Sequence, residues 1–196
     1  MTFGSVWTLP STRLRFLIFA STENETYVDL LFSVLSLPEE GPEPSDPRIL
    51  MRLRNVSRIA ASLRHGLWND ESAAVEAFSL ERLSEVVLNF RGMPIYGWKF
   101  IDRSEGSWEQ WQSRLSLDET LGAHGTQHTI ELFQETRGIQ HLDLRIWFDD
   151  LVIYDMTQNI VSIEDFGAAG KRWWDALYAG DERVQGHGIH PLRKTD

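Results

Sequence analysis

Residues 127–180 read QHTIELFQETRGIQHLDLRIWFDDLVIYDMTQNIVSIEDFGAAGKRWWDALYAG, and the fold class turns on them. Leu142, Leu144, Ile146 and Phe148 alternate with His141, Asp143, Arg145 and Trp147. That period of two belongs to a strand with one buried face. Upstream, His128, Ile130, Leu132 and Gln134 share one face, and Thr129, Glu131, Phe133 and Glu135 the other. Gly138, in the connection Thr136-Arg137-Gly138, can take the positive φ that a tight or bulged turn favours, so an antiparallel hairpin is predicted. Asp149 and Asp150 are poor residues for a central strand, and a bulge or tight bend is expected there before the apolar run 151–154.

The period then lengthens. Ser162, with Asp165 three residues on, is a carboxylate variant of the capping box that opens a helix. Ile163, Phe166, Trp173, Trp174 and Leu177 fall on one side at helical spacing. Glu164 and Asp165 suit the positive end of the helix dipole, and Gly180 suits a left-handed terminus. Gly167 and Gly170 each cost about 1 kcal/mol relative to Ala in a helix interior, a cost explained if the helix backbone closely approaches a sheet.

Working outward, residues 13–20 (RLRFLIFA) and 27–37 (YVDLLFSVLSL) read as two strands joined by the polar stretch 21–25, after a short lead-in at 1–11. Residues 38–47 (PEEGPEPSDP) form an exposed, semi-stiff loop. Residues 49–55 alternate as a strand, and 56–65 fit either a bulged continuation of it, which is preferred, or a short helix. Residues 69–77 read as a helical turn or loop excursion, and 121–126 as a loop. Residues 85–90 and 95–102 are predicted to pair as a hairpin about Arg91-Gly92-Met93-Pro94. Residues 108–117 fit a strand or a short helix equally. Beyond Gly180 periodicity is lost, so 181–196 is expected to be a mobile tail on a single globular domain, 1–180.

About seven to nine strands in succession with one firm helix define the expected class. It is α+β and mostly β: an antiparallel sandwich or strongly curved sheet built from successive hairpins, covered by one C-terminal amphipathic helix. Strand and helix do not alternate regularly, which argues against a doubly wound parallel sheet.

Hydrophobic residues make up 42% and aromatics 11% of the 196, enough for a packed core. The formal net charge of −10 opposes general binding to nucleic acid or to an anionic membrane, and favours a basic partner. The absence of cysteine excludes disulfides, thiol catalysis and cysteine-ligated zinc. No apolar run has the length of a membrane span and no signal peptide is read, so a cytoplasmic protein is expected.

Motif-borne chemistry is scarce. Phosphate loops, dinucleotide fingerprints, serine elbows and zincin helices are all missing. His124 and His128 in an extended chain stand about 13 Å apart, too far to share one metal without a turn. His187 and His190 lie in the expected tail, so neither a metal nor a cofactor is assigned. The polar hairpin face is the richer candidate: Glu131, Glu135, His141, Asp143 and Arg145 could form an acid/base cluster, or a solvated face of cross-strand ion pairs. Trp98, Trp108, Trp111 and Trp147 could supply a ligand platform or interface anchors, although core packing accounts for most tryptophans.

Three functional expectations follow. The first is a non-catalytic acidic interaction protein (inhibitor, immunity-type or adaptor) that meets a basic protein partner through Glu39, Glu40, Glu43, Asp46, Glu131, Asp143 and Trp147. The second is a β-rich enzyme or carbohydrate-binding domain using Glu131, Glu135, His141, Asp143 and Arg145, which requires a concave pocket and a carboxylate of raised pKa. The third is a structural subunit of a larger assembly, which requires an exposed apolar patch or an unpaired sheet edge.

Overall fold

The computed structural model describes residues 13–22, 25–67, 70, 72–101, 109–122, 127–136, 139–187 and 189. In chain order the strands are β1 (Arg13–Ser21), β2 (Thr26–Ser33), β3 (Arg48–Arg54), β4 (Arg58–His65) and β5 (Ala74–Val75). Helix α1 (Leu83–Asn89), β6 (Ile95–Ile101), α2 (Glu109–Gln112), β7 (Leu117–Thr120), β8 (His128–Thr136) and β9 (Gln140–Phe148) come next. The chain ends in β10 (Asp150–Asp155), β11 (Ile160–Val161) and α3 (Ile163–Ala179). The protein is mostly β, with two antiparallel sheets ordered β1-β2-β3-β10-β11 and β5-β4-β9-β8-β6, and β7 also pairs with β4.

Period-two patterning decides which way each strand faces. In β3, Ile49, Met51 and Leu53 are buried, while Arg48 and Arg54 are exposed and Leu50 and Arg52 half-buried. Val28, Leu30 and Phe32 of β2 are buried in the same way, and so are Ile59, Ala61 and Leu63 of β4. Leu142, Leu144, Ile146 and Phe148 of β9 sit beside Ile130 and Leu132 of β8. These residues of both sheets belong to one hydrophobic cluster.

The predicted hairpin is β8–β9, in register from His128↔Phe148 to Thr136↔Gln140. Its connection at Arg137 and Gly138 lies outside the described residues. Asp149 is the expected bend: its N–H donates to the Arg54 carbonyl at 3.1 Å, and the chain passes from the six-stranded sheet into the five-stranded one. The 13–20 strand pairs as expected with the first part of 27–37, up to Ser33, with a register shift between Leu14 and Phe16; residues 34–37 lie outside the strand.

Two expectations are corrected. Residues 49–65 are strand throughout except at 55–57, but they are not one bulged strand. β3 and β4 lie in different sheets, and the chain crosses over at Asn55, whose φ of 53° marks the turn. Residues 85–90 are not half of a hairpin. Residues 85–89 belong to α1, with Phe90 as its C-cap, and β6 pairs instead with β8. Leu83, Val86, Val87 and Phe90 are all buried, the i, i+3, i+4, i+7 spacing of a helix face. The Ser84 hydroxyl donates to the Leu17 carbonyl at 2.7 Å, so α1 satisfies a main-chain group of the outermost strand of its sheet.

Residues 108–117, left open between helix and strand, resolve into α2 and the start of β7, with Trp108 outside the described residues. Helix α3 carries the predicted ends. The Ser162 hydroxyl oxygen accepts from the Asp165 N–H at 3.0 Å, and Gly180 closes the helix with φ 74°. Phe166, Gly167, Gly170, Trp173 and Ala176 are its buried residues. Phe166 joins the main cluster, whereas Trp173 and Ala176 pack with Leu37 and Val184 in a smaller one. Residues 181–187 lie against this second cluster: Glu182–Val184 makes a short 3-10 turn, and Val184 is buried. Among the described residues, no helix is long and apolar enough to cross a membrane.

Candidate functional site

The side of the β4-β9-β8 sheet turned away from the main core carries every residue of the candidate hairpin cluster. Register places them in rows across three strands: Arg58, Trp147 and Thr129; Ala60, Arg145 and Glu131; Ser62, Asp143 and Phe133; Arg64, His141 and Glu135. β4 thus contributes two arginines, Arg58 and Arg64, that the hairpin sequence alone does not show. Their signal was the alternation Arg58, Ala60, Ser62, Arg64 within a strand, readable only once β4 was known to neighbour β9.

This side of the sheet is partly covered. Trp111 and Leu115 pack over Ala60 and Trp147. His141 is fully buried, Arg145 is 4% exposed, Arg64 6% and Trp147 7%, so none of them offers a free surface to a macromolecule. The arginines are held by carboxylates: Arg145 pairs with Glu131 across the hairpin, and Arg64 Nη2 donates to Asp143 Oδ2 at 3.1 Å. Arg58 makes a bidentate contact with Asp118 of β7 at 2.8 and 2.9 Å. Arg145 also lies over the Trp111 ring at 4.9 Å, and Arg58 over Trp147 at 5.1 Å.

His141 is set by its neighbours. Its Nε2–H donates to the Gly66 carbonyl at 2.5 Å, its ring stacks on Phe133, and Nδ1 stands 3.8 Å from Glu135 Oε2. Nδ1 has no hydrogen-bond partner in the structure. Ser62 Oγ, buried in the adjoining row, and Arg64 Nε, in the same row, also lack hydrogen-bond partners. Burial pushes the Asp143 carboxyl up, against the opposing pull of Arg64 and then of His141. Burial, with Arg58 nearby, draws the Arg145 guanidinium down, and an arginine so placed still carries its charge at neutral pH.

The acidic loop behaves differently. Val34 N–H donates to the Pro47 carbonyl at 2.9 Å and closes its base. Leu37 is clasped by α3: its N–H donates to the Ala169 carbonyl at 3.0 Å, and its carbonyl accepts from Arg172 Nε at 2.9 Å. Glu43 turns inward, where its two carboxylate oxygens accept from the buried Trp173 indole and from His187, the latter at 2.7 Å. Asp46 is engaged by Arg48 through 2.8 and 2.6 Å contacts, and that guanidinium holds its carboxyl below the ordinary value. Glu39 and Glu40 remain exposed, with the Glu39 side chain 86% accessible and 3.7 Å from Arg172.

Of the other sequence candidates, His124, His190 and Trp108 lie outside the described residues. His128 faces the core side beside Phe148, and His187 is bound to Glu43. Among the described residues no group of three or more histidines and acids is arranged to hold a metal.

Two cavities flank β11. One, of about 460 Å³, runs between Asp149–Ile153 and the turn into α3; the other, of about 420 Å³, lies between the loop at 44–49 and the first turns of α3. Compared with protein-family models, with curated proteins and with solved structures, the chain matches none. What is established is therefore its class: a mostly β protein of two antiparallel sheets with no assigned chemistry.

Proposed function

We propose that the protein is a non-catalytic acidic interaction protein, of the inhibitor, immunity or adaptor kind, that binds a basic protein partner. The observation that carries this reading is the anchored loop at residues 38–47. Glu43, Leu37 and the base of the loop are fixed to α3 and to the strand ends, so Glu39 and Glu40 are held outward on a pre-organised support. Of the residues expected to meet a partner, Glu39 and Glu40 carry the proposal. Glu43 and Asp46 are engaged within the chain, and Glu131, Asp143 and Trp147 are covered or paired on the sheet. With a net charge of −10, attraction steers a basic partner before apolar contacts lock it in place.

The test is affinity capture from the native lysate at low and moderate salt, using the wild type and a Glu39→Lys/Glu40→Lys variant. A single basic partner, released by salt and captured at least about fivefold less well by the variant, is the expected result. Capture of nothing at either salt, or capture indifferent to both changes, removes the reading.

The same proposal takes the fold as one domain. Its sheets face each other as a sandwich and α3 covers one end, supported by the shared hydrophobic cluster and by Phe166 within it. A cytoplasmic site belongs to this reading too.

One observation favours a second reading, as an enzyme or small-ligand binder. Asp143, its carboxyl raised by burial, neighbours Ser62, and unpartnered Ser62 Oγ and His141 Nδ1 flank it. A screen of monosaccharides and small acids by thermal shift checks it; a ligand whose shift survives Asp143→Asn and Ser62→Ala does not use this cluster.

A further inference from the structure

The edge of the five-stranded sheet at β10 is only partly covered. β11 pairs with β10 at Ile153↔Val161 and Tyr154↔Ile160, and Asp155 N–H donates to the Asn159 carbonyl at 3.0 Å. In an antiparallel ladder alternate residues direct their N–H and C=O to the same side. Residues 151, 153 and 155 therefore point towards β11, and 150, 152 and 154 towards β3. The register with β11 would set Leu151 opposite Ile163, but the chain has by then entered α3. Among the described residues no strand lies beside Asp150–Val152 on that side, so the main-chain donor and acceptor of Leu151 face outward.

What they face is the 460 Å³ cavity. Leu151, Ile160 and Ile163 line it with apolar surface, and Ile160 is 73% exposed. Asp149, Asp150 and Glu164 stand around it, and no lysine or arginine is among its lining residues. Unpaired edge, apolar pocket and acidic rim together describe the site of strand addition, in which main-chain bonds give affinity and alternate side chains give selectivity.

We propose that the β10 edge receives an extended, lysine- or arginine-bearing segment of a partner protein, added as a strand beside Leu151 with a basic side chain towards Asp149, Asp150 or Glu164. The inference rests on the protein-binding reading and names its mode. Charge selects the occupant. A second copy of this chain paired edge to edge would bring two sets of these carboxylates together, with like charges facing.

The probe is a blocked octapeptide of alternating lysine and valine, added to the full chain and followed by amide hydrogen exchange. Leu151 N–H should exchange at least about tenfold more slowly at saturating peptide, while Val152 N–H, already directed at β3, is unchanged. An octapeptide N-methylated at alternate amides keeps the charge and should bind at least about tenfold more weakly. Leu151→Pro removes the outward donor at an edge position where proline is tolerated, and should abolish the protection. Because Leu151 also packs against the core, Asp150→Lys/Glu164→Lys serves as a second variant that leaves the backbone untouched and should weaken binding to a similar extent.

No binding, or binding that leaves Leu151 unprotected, overturns the inference. So does concentration-dependent protection of Leu151 in the chain alone, which would make a second copy the occupant. The two proposals fail separately. If lysate capture recovers a salt-released partner while the octapeptide leaves Leu151 unprotected, the protein-binding reading stands and only the strand-addition mode falls.

Discussion

Arg64 and Asp143 meet on adjacent strands with the guanidinium almost wholly out of water, and each limits what can be done to the other. Breaking a buried pair from one side leaves a charge without compensation, which typically costs about 3–5 kcal/mol. Arg64→Met should destabilise the fold by about 3 kcal/mol at pH 7, measured by urea unfolding. The pH dependence has a definite sign. The Asp143 carboxyl is raised in the folded state, so its contribution to stability is fully present below its unfolded pKa and is lost as pH rises through the folded one. The penalty of Arg64→Met should therefore shrink as pH falls from 7 towards about 4, the ordinary carboxylate range, because protonation removes the charge left without a partner. An equal penalty at both pH values would show that Asp143 is not the group left uncompensated.

Asp155 has the opposite sign. Its carboxylate accepts from the Thr157 hydroxyl and N–H at 2.7 and 2.8 Å and from Asn159 N and Nδ2 at 2.9 and 3.0 Å, which lowers its pKa to about 2. Stability from this turn is present above the unfolded value of about 3.9 and is lost as pH falls through about 2. Asp155→Ala should lower Tm at neutral pH, and the gap to wild type should close over that acid range.

At the scale of elements, the capped helix and the misread segment make a pair. Ser162→Ala removes the N-cap of α3 and should cost about 1 kcal/mol, a fall in Tm of about 2–4 °C. That cap was legible because capping needs only local residues, as was the β8–β9 hairpin with its alternating faces. α1 was not. Residues 85–90 (EVVLNF) are rich in β-branched and aromatic side chains, and read alone they score as strand; the helical face appears only when Leu83 joins Val86, Val87 and Phe90. The two readings separate experimentally. A strand would put Leu88 with Val86 and Phe90, whereas the helix leaves Leu88 41% exposed and buries Val87 completely. Val87→Ala should cost about 2 kcal/mol and Leu88→Ala under about 0.5 in denaturant unfolding.

The candidate cluster was legible in its members but not in its setting. Glu131, Glu135, His141, Asp143 and Arg145 do share one side of the sheet, because strand alternation fixes sidedness within a hairpin. The sequence of the hairpin could not show that β4 would add Arg58 and Arg64, nor that Trp111 and Leu115 would pack over Ala60 and Trp147, since both depend on contacts far apart along the chain. The 38–47 loop was recognised as a loop from its prolines and acids. The inward turn of Glu43 was not, because Trp173, its partner, lies 130 residues away.

Across the whole molecule, the two sheets are joined twice by continuous chain, at 55–57 between β3 and β4 and at Asp149 between β9 and β10. These crossings lie side by side: Asp149 N–H donates to the Arg54 carbonyl and Ser57 N–H to the Trp147 carbonyl, both at 3.1 Å. Neither sheet can separate without disturbing the other, so unfolding should be one transition. Thermal melts followed by far-ultraviolet dichroism and by tryptophan fluorescence should coincide; two resolved midpoints would mean that the sheets are separate cooperative units.

The double crossing also sets where the gene can change length. An inserted or deleted residue at 55–57 or at Asp149 would slip the register of strands in both sheets at once and turn buried side chains outward. The loop at 38–47 returns to its starting point through the Val34–Pro47 bond, and doubling such a loop costs only about 0.6 kcal/mol in closure entropy. Length variation among descendants of this sequence should therefore accumulate in that loop, while the paired crossings keep a constant residue count.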